Sequence, residues 1–416
     1  MTERPPAPSG LVIAAVVMTM SSAFGQTYFI AIFAPQLKAE LGLTDGGFGS
    51  LYAIATIASA AVLLWGGKIA DRYRIRWLGA LAILALAAMC AAMSGVSAAW
   101  MLLPVLFGLR LFGQGSMGQL AITGVGRWYH LRRGKMMSLA VLGFPASEAV
   151  MPFAAVTMIG AYGWRETWLA AGGILVLVSI PLVVFLLRRE PAVPAREATN
   201  ASAHETRREW TRAEVMRKPE FFAVVSGIVV PAFAITGIFF HQTHLVEVKG
   251  WSLAWFAGWF PVYAGVSVLM ALLTGWLIDR YAARRFLPFF LIPMALGISV
   301  LAFSSSPYAV PAFMLLCAIT NGSASTLLGA LWAELFGTRH LGAIRSVAFA
   351  GQVFASALAP GLMGLLLDLE ISIETQYSGM VAYAVISAAC LWLLLPRLNR
   401  IADDSPTVGV GHVMVK

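Results

Sequence analysis

The sequence predicts an all-α membrane protein with twelve transmembrane helices in two pseudo-symmetric bundles of six. Three observations predict it. Hydrophobic residues make up 59% of the 416 positions and charged residues only 12%, about half the charge a soluble chain needs to cover its surface. Twelve apolar runs of about 20 residues follow one another, each long enough for the ~30 Å hydrocarbon core. A constant offset of 208 residues also lays much of the first half over the second.

The runs fall at 11–33, 47–70, 77–95, 99–124, 137–159 and 167–187, then at 221–244, 253–278, 286–304, 308–334, 344–366 and 379–396. Isolated runs of this length can satisfy their backbone in lipid only as helices. The first run reads as a helix rather than a cleaved leader, because it continues past the small residues Ser21, Ser22 and Ala23. The expected organisation is an N-terminal bundle over 1–187, a linker over 188–219 and a C-terminal bundle over 220–416. Within the linker, Thr211 to Glu214 has the spacing of a capping box, which predicts a short helix on the inner membrane surface.

The repeat pairs Gly42 with Gly250, Phe48 with Phe256 and Gly67 with Gly275. It pairs Asp71, Arg72, Tyr73 and Arg76 with Asp279, Arg280, Tyr281 and Arg284, and Pro152 with Pro360. Ungapped matches of Gly, Pro and charge across four helices point to duplicated halves, a plan known among transporters. One chain then carries both halves of a path, so a monomer suffices.

Orientation follows from the basic residues. With both termini inside, the cytoplasmic loops collect 25 of the 29 Lys and Arg residues, and the outer loops hold Lys38, Arg165 and Lys249. The net charge of +9 is therefore a topological signal and not a nucleic-acid footprint. The short loops suit the inner membrane of a bacterium. Cys90, Cys317 and Cys390 have no metal-ligand spacing. No phosphate-cradling loop, zinc-protease motif or nucleophile elbow occurs. The expectation is a carrier without cofactor or metal, not an enzyme.

Gly67-x-x-x-Asp71-Arg72-Tyr73-x-x-Arg76 and its echo Gly275-x-x-x-Asp279-Arg280-x-x-x-Arg284-Arg285 resemble the paired loop signatures of the major facilitator superfamily, after helices 2 and 8. The first departs from the usual pattern at Arg74, where a glycine is expected, and at Ile75, where a basic residue is expected. Arg127-Trp-Tyr-x-x-Arg-Arg-Gly-Lys135 and the stretch Trp210 to Pro219 look like the monocarboxylate and oxalate/formate branch. Helix 5 lacks the Gly-Pro pattern of drug/proton antiporters. The resemblance implies a secondary transporter working by alternating access, with helices 1, 4, 7 and 10 lining a central cavity. It also implies that Asp71, Arg72, Arg76, Asp279, Arg280 and Arg284 gate the inner end. The plainer reading is that the basic residues only hold helix ends at the headgroups.

Arg110 falls near the middle of helix 4. An Arg at that depth costs ~2.5–3.5 kcal/mol on insertion scales and must meet a partner or a wet cavity. Gln114 lies one turn on. Glu148, at similar depth in helix 5, is the obvious counter-ion. Two readings stand. In one, Glu148 takes a proton and frees Arg110 for a substrate carboxylate. In the other, the two form a permanent salt bridge. His241 and His244, near the outer end of helix 7, either relay protons or are interfacial polar residues. Gln26, Tyr28 and Asn321 are the further candidates for the cavity wall. The expected function is proton-coupled movement of a small organic anion, a carboxylate by preference, across the bilayer. The alternative is proton-driven export of amphipathic compounds.

Overall fold

The computed structural model describes residues 9–129, 133–190, 210–337 and 340–404. Every element among them is helical. Among the described residues nine helices are long and apolar enough to cross a membrane, and the bent pair Gly10–Gly25 and Thr27–Leu41 makes a tenth. The remaining two runs are present in altered form. Run 99–124 is an α-helix interrupted by a π segment, and run 286–304 is shortened to Ile292–Phe303.

The first run is α1 (Ser9–Ser21), a 3-10 turn over Ser22–Gly25, α2 (Thr27–Ile30), a second 3-10 turn over Ala31–Phe33 and α3 (Ala34–Leu41). It breaks at Gln26, which is extended (φ −84°, ψ 151°). The break follows a Ser-Ser pair and a glycine, a common cause of helix kinks. Ser21 and Ser22 turn their hydroxyls back onto Val17 O and Thr19 O, which competes with the regular ladder.

Then come α4 (Asp45–Arg72), α5 (Ile75–Ser94), α6 (Ala99–Gly108), a π-helix over Leu109–Ser116, α7 (Met117–Trp128), α8 (Arg133–Ala140), α9 (Gly143–Tyr162), α10 (Trp164–Ile174) and α11 (Ile180–Leu186). The N-terminus of α5 is held by Glu190. Its two carboxylate oxygens accept from Ile75 N and Arg76 N, each at 2.9 Å, satisfying two orphan donors beside the positive end of the helix dipole.

The short helix α12 (Arg212–Val215) follows, with its capping box formed: Thr211 accepts from Glu214 N and Glu214 accepts from Thr211 N. The rest is α13 (Pro219–Phe240), α14 (Gln242–Lys249), α15 (Leu253–Gly258), α16 (Phe260–Tyr281), α17 (Ile292–Phe303), α18 (Ala309–Phe336), α19 (Leu341–Asp368) and α20 (Ile373–Asp404).

The repeat is visible in backbone geometry. Gly42 ends α3 at φ 63°, ψ 35°, and Gly250 ends α14 at φ 67°, ψ 29°. Both are left-handed C-caps, where glycine carries no Cβ penalty. The repeat fails one loop later. Arg74 is extended at φ −69°, so no glycine is needed there. Its partner at the same offset, Ala282, is at φ 70°, ψ 141°. A side chain in that region is strained by ~1–3 kcal/mol. Ala282→Gly is expected to raise the thermal unfolding temperature in detergent, reporting about 1 kcal/mol regained. An unchanged or lower midpoint would show that the turn carries no strain.

By packing, the chain forms two compact units. One comprises Met1–Ala198, Ile238–Pro261 and Pro360–Leu369, and the other Thr199–Gly237, Val262–Ala359 and Glu370–Lys416. The core of the first includes Phe33, Phe48, Tyr52 and Trp168, all under 2% exposed, and that of the second Phe221, Tyr263, Phe313 and Tyr377. Leu81, Leu177, Leu272, Phe303 and Leu393 are all more than 60% exposed, as expected of side chains facing lipid tails.

Candidate functional site

The second unit contains a cavity of about 600 Å³. Three helices build it, and each shows its cavity face as a helical period. From α19 come Arg345, Ala348, Phe349 and Gln352, spaced i, i+3, i+4, i+7. Asn321, Ala324, Ser325 and Leu328 of α18 repeat the same spacing. Pro231, Ile235 and Thr236 complete the wall from α13. The lining carries one formal charge, the Arg345 guanidinium, and no carboxylate. Arg345 makes no ion pair among the described residues. Four of the polar groups are tethered to neighbours: Thr236 Oγ1 lies 2.8 Å from Ser356 Oγ, Gln352 Nε2 reaches Ile228 O at 3.5 Å, and Ser325 and Ser346 donate to Gly322 O and Ala343 O, each at 2.9 Å.

Asn321, one of the residues expected to face a central cavity, lines this cavity of the second unit. Arg345 was not singled out, because it sits at the edge of an apolar run and was counted with the loops. The signal existed: α19 begins at Leu341, and Arg345 lies two helical turns before Gln352.

In the first unit the expected Arg110–Glu148 pairing is not formed. Arg110 is 1% exposed. Its Nε donates to Thr56 Oγ1 at 3.1 Å and its Nη1 to Gly25 O at 3.0 Å, and its guanidinium lies 4.9 Å from the centre of the Tyr52 ring. The break in the first run makes this possible. Phe29 N, which an unbroken helix would aim at Gly25 O, donates instead to Gln26 O, so the glycine carbonyl is left for the guanidinium. The π segment that contains Arg110 presses against the same point. A Cβ on Gly25 would lie 2.2 Å from Leu109 O, and one on Gly113 would lie 2.6 Å from Gly25 Cα. Neutral acceptors and an aromatic face thus replace the counter-ion.

Glu148 is half-buried on α9 and makes no ion pair among the described residues. Its neighbour Ser147 lies 3.1 Å from Tyr28 Oη. Tyr28 is 7% exposed, and its carbonyl accepts from Gln242 Nε2 at 3.1 Å. Gln26 is half-buried and bonds Ser22 at 3.3 Å. Gln114, half-buried, lies inside the π segment. His241 is 2% exposed and His244 25% by side chain; both approach Asp45.

Of the loop residues expected to gate, the side chains of Asp71 and Arg72 lie outside the described residues. Arg76 stacks on Trp77 at 4.9 Å. Asp279 is exposed, and Arg280 lies over the rings of Trp276 and Tyr281. Arg284 pairs with Glu334 and donates to Asn399 Oδ1, both within its own unit, while Glu334 also accepts from Ala283 N at 2.7 Å.

A polar cavity among helices long and apolar enough to cross a membrane is the arrangement of a membrane transporter. The family model of the Major Facilitator Superfamily matches residues 15–282 and 257–409. The chain belongs to the major facilitator superfamily, as a multi-pass integral membrane protein. It is 24% identical over 337 residues to the uncharacterized MFS-type transporter YcxA of Bacillus subtilis (strain 168), covering 76% of this chain and 78% of that one. It is 30% identical over 177 residues to a 38 kDa protein of the 23S RNA operon of Thermoproteus tenax, 40% of this chain and 43% of the relative. A bacterial homologue of the human lysosomal transporter Spinster, solved inward-facing and unoccupied, superposes with a TM-score of 0.76 at 16% identity, over 98% of this chain and 100% of that one. A variant of the nucleoside transporter NupG superposes at 0.65 and 13% identity, over 94% and 99%. At these identities the two structures share the fold alone.

Proposed function

We propose that the protein carries a small organic anion, with a carboxylate as its charged group, across the membrane by alternating access, coupled to protons. The observation that carries this reading is the charge of the cavity: one guanidinium, no carboxylate, and the neutral hydrogen-bonding groups of Asn321, Gln352 and Ser325 around it. Arg offers a planar fork that fits a carboxylate, and an apolar wall strengthens its field. The anion site sought at Arg110 is thereby moved to Arg345, since Arg110 is already engaged by Gly25, Thr56 and Tyr52.

Glu148 is the proton carrier in this reading, as a membrane-embedded carboxyl without an ion-pair partner among the described residues. The two six-helix halves, the gating role of the loop Asp and Arg residues, the monomer, and a bacterial inner membrane with both termini inside belong to the same proposal. So does the likeness to the monocarboxylate branch. A second reading, export of amphipathic compounds, is favoured by the apolar wall of Ile235, Leu328 and Phe349.

The test is uptake of labelled carboxylates into proteoliposomes, with and without an imposed proton gradient. The wild type is expected to concentrate a carboxylate only with the gradient. Glu148→Gln is expected to exchange it at equal concentrations while losing at least about 90% of accumulation. A folded wild type that moves no anion, yet extrudes an amphipathic cation, would decide for the second reading.

A further inference from the structure

The second unit carries a further hollow that the transport reading does not use. It has a volume of about 460 Å³ and lies between α17 and α20. Ile292, Ala295, Leu296 and Ser299 of α17, spaced i, i+3, i+4, i+7, line it with a stripe of α20 that runs from Val381 to Trp392. The sequence explains the hollow. Run 286–304 becomes an α-helix only at Ile292, so the chain at Pro288 and Phe289 passes this end as turns. The floor is made of small side chains, with Ala295 and Ala384 both buried. The rim is large and exposed, at Phe289, Leu296, Val385 and Trp392.

The lining suits an apolar occupant. It holds no charged side chain, and its one hydroxyl, Ser299, already donates to Ala295 O at 2.8 Å. The dimensions are those of a single chain. From Val381 to Trp392, α20 rises about 16 Å, close to one leaflet of a ~30 Å hydrocarbon core. A volume of about 460 Å³ over that length leaves a channel ~6 Å wide. A helix with its side chains needs about 10–12 Å, whereas an extended hydrocarbon chain fits.

Arginines mark one end. Arg284 Nε donates to Asn399 Oδ1 at 2.7 Å. That bond sets the turn before α17 against α20, two helical turns beyond Trp392. Around it Arg285, Arg397 and Arg400 are exposed and make no ion pair among the described residues. Trp392 is the kind of side chain that settles at headgroup level. In the orientation proposed above, this end meets the inner leaflet, whose surface potential is negative.

We propose that the groove binds one anionic phospholipid, with an acyl chain along α17 and α20 and its phosphate on Arg285, Arg397 and Arg400. Arginine offers the fork that fits a phosphate, and the apolar floor gains from each methylene it covers. A zwitterionic lipid fills the groove equally well but brings a compensating cation to the arginines, so the site selects by headgroup. The inference needs only a membrane around the chain and does not depend on which solute is carried.

The experiment uses the full chain, purified in detergent and stripped of lipid. It is given equal amounts of phosphatidylglycerol and phosphatidylcholine with the same acyl chains, and native mass spectrometry counts the lipids retained. The wild type is expected to keep one phosphatidylglycerol, with a preference of about tenfold or more over phosphatidylcholine. The double variant Arg285→Gln, Arg397→Gln should retain the two lipids equally. Ala389→Phe puts a ring into the groove and leaves every arginine in place. Ala389 is exposed, so the core is undisturbed, and the retained lipid should be lost. Ala388→Phe blocks the same groove and should do the same. A wild type without headgroup preference overturns the proposal. So does an Ala389→Phe protein of wild-type thermal midpoint that keeps the preference, since the arginines would then be a general basic surface. Thermal protection by inorganic phosphate equal to that by phosphatidylglycerol would make this an ion site and overturn it as well. A wild-type dimer that Ala389→Phe splits into monomers would give the groove to a second copy of the chain, against the proposal.

Discussion

Arg345→Gln is expected to slow uptake of the transported anion at sub-saturating concentration by about tenfold or more while leaving the protein folded. The side chain is exposed within the cavity and makes no ion pair among the described residues, so its removal leaves no buried group stranded. What is lost is one charge-assisted contact to the substrate. Such a bond is worth ~1.5–3 kcal/mol, roughly tenfold to 150-fold in affinity. Arg345→Lys keeps the charge but loses the planar fork, and should fall between the two. The measurement is initial uptake rate against substrate concentration. The loss should appear chiefly as a raised KM, because the contact is made on binding. Wild-type KM in Arg345→Gln would remove the cavity from the anion's path and return attention to Arg110.

Gly25→Ala is expected to have the largest effect on stability. The added methyl would meet Leu109 O at 2.2 Å, Gly113 Cα at 2.7 Å and Gln114 N at 2.9 Å. These are backbone atoms of the π segment, and none can rotate aside. Overpacking of this kind costs ~1–3 kcal/mol. The shift also pulls Gly25 O away from Arg110, and a hydrogen bond to a charged group is worth another ~1.5–3 kcal/mol. The thermal midpoint in detergent should drop sharply, with less monodisperse protein recovered. Gly160→Ala is the control. Nothing lies within 4 Å of a Cβ there, and Ala in a helix gains ~0.8–1.0 kcal/mol over Gly. Equal midpoints for Gly25→Ala and wild type would mean that the two helices do not cross at Gly25 and Gly113.

Much of the architecture was legible along the chain. Apolar length predicts spans because each run must satisfy its backbone within itself. The helix ends agree with the runs closely at 77–95 and 308–334, where the structure has Ile75–Ser94 and Ala309–Phe336. Agreement is poorest at 286–304, where the turn after Arg285 delays the helix to Ile292. The capping box at Thr211 formed because its bonds are local. The left-handed glycines Gly42 and Gly250 show the repeat in three dimensions.

The candidate site was legible only in part. Asn321 lies on the wall of the cavity in the second unit. Arg110 was rightly marked as a group that must be answered inside the membrane, but the answer was misjudged. A carboxylate 38 residues away looked like the natural partner. The actual partners are a hydroxyl, an aromatic face and a backbone carbonyl released by the kink at Gln26. Asp45, at the start of α4, gathers Lys38, His241 and His244, partners that no local pattern marks.

Composition and span length were therefore enough to establish an all-helical membrane protein, since lipid imposes those features on each segment separately. The pairing of polar groups required the folded chain. It depends on where a helix breaks, where a π turn shifts the face and how closely two backbones cross. Those features are settled by contacts between residues distant in sequence, and no local pattern records them.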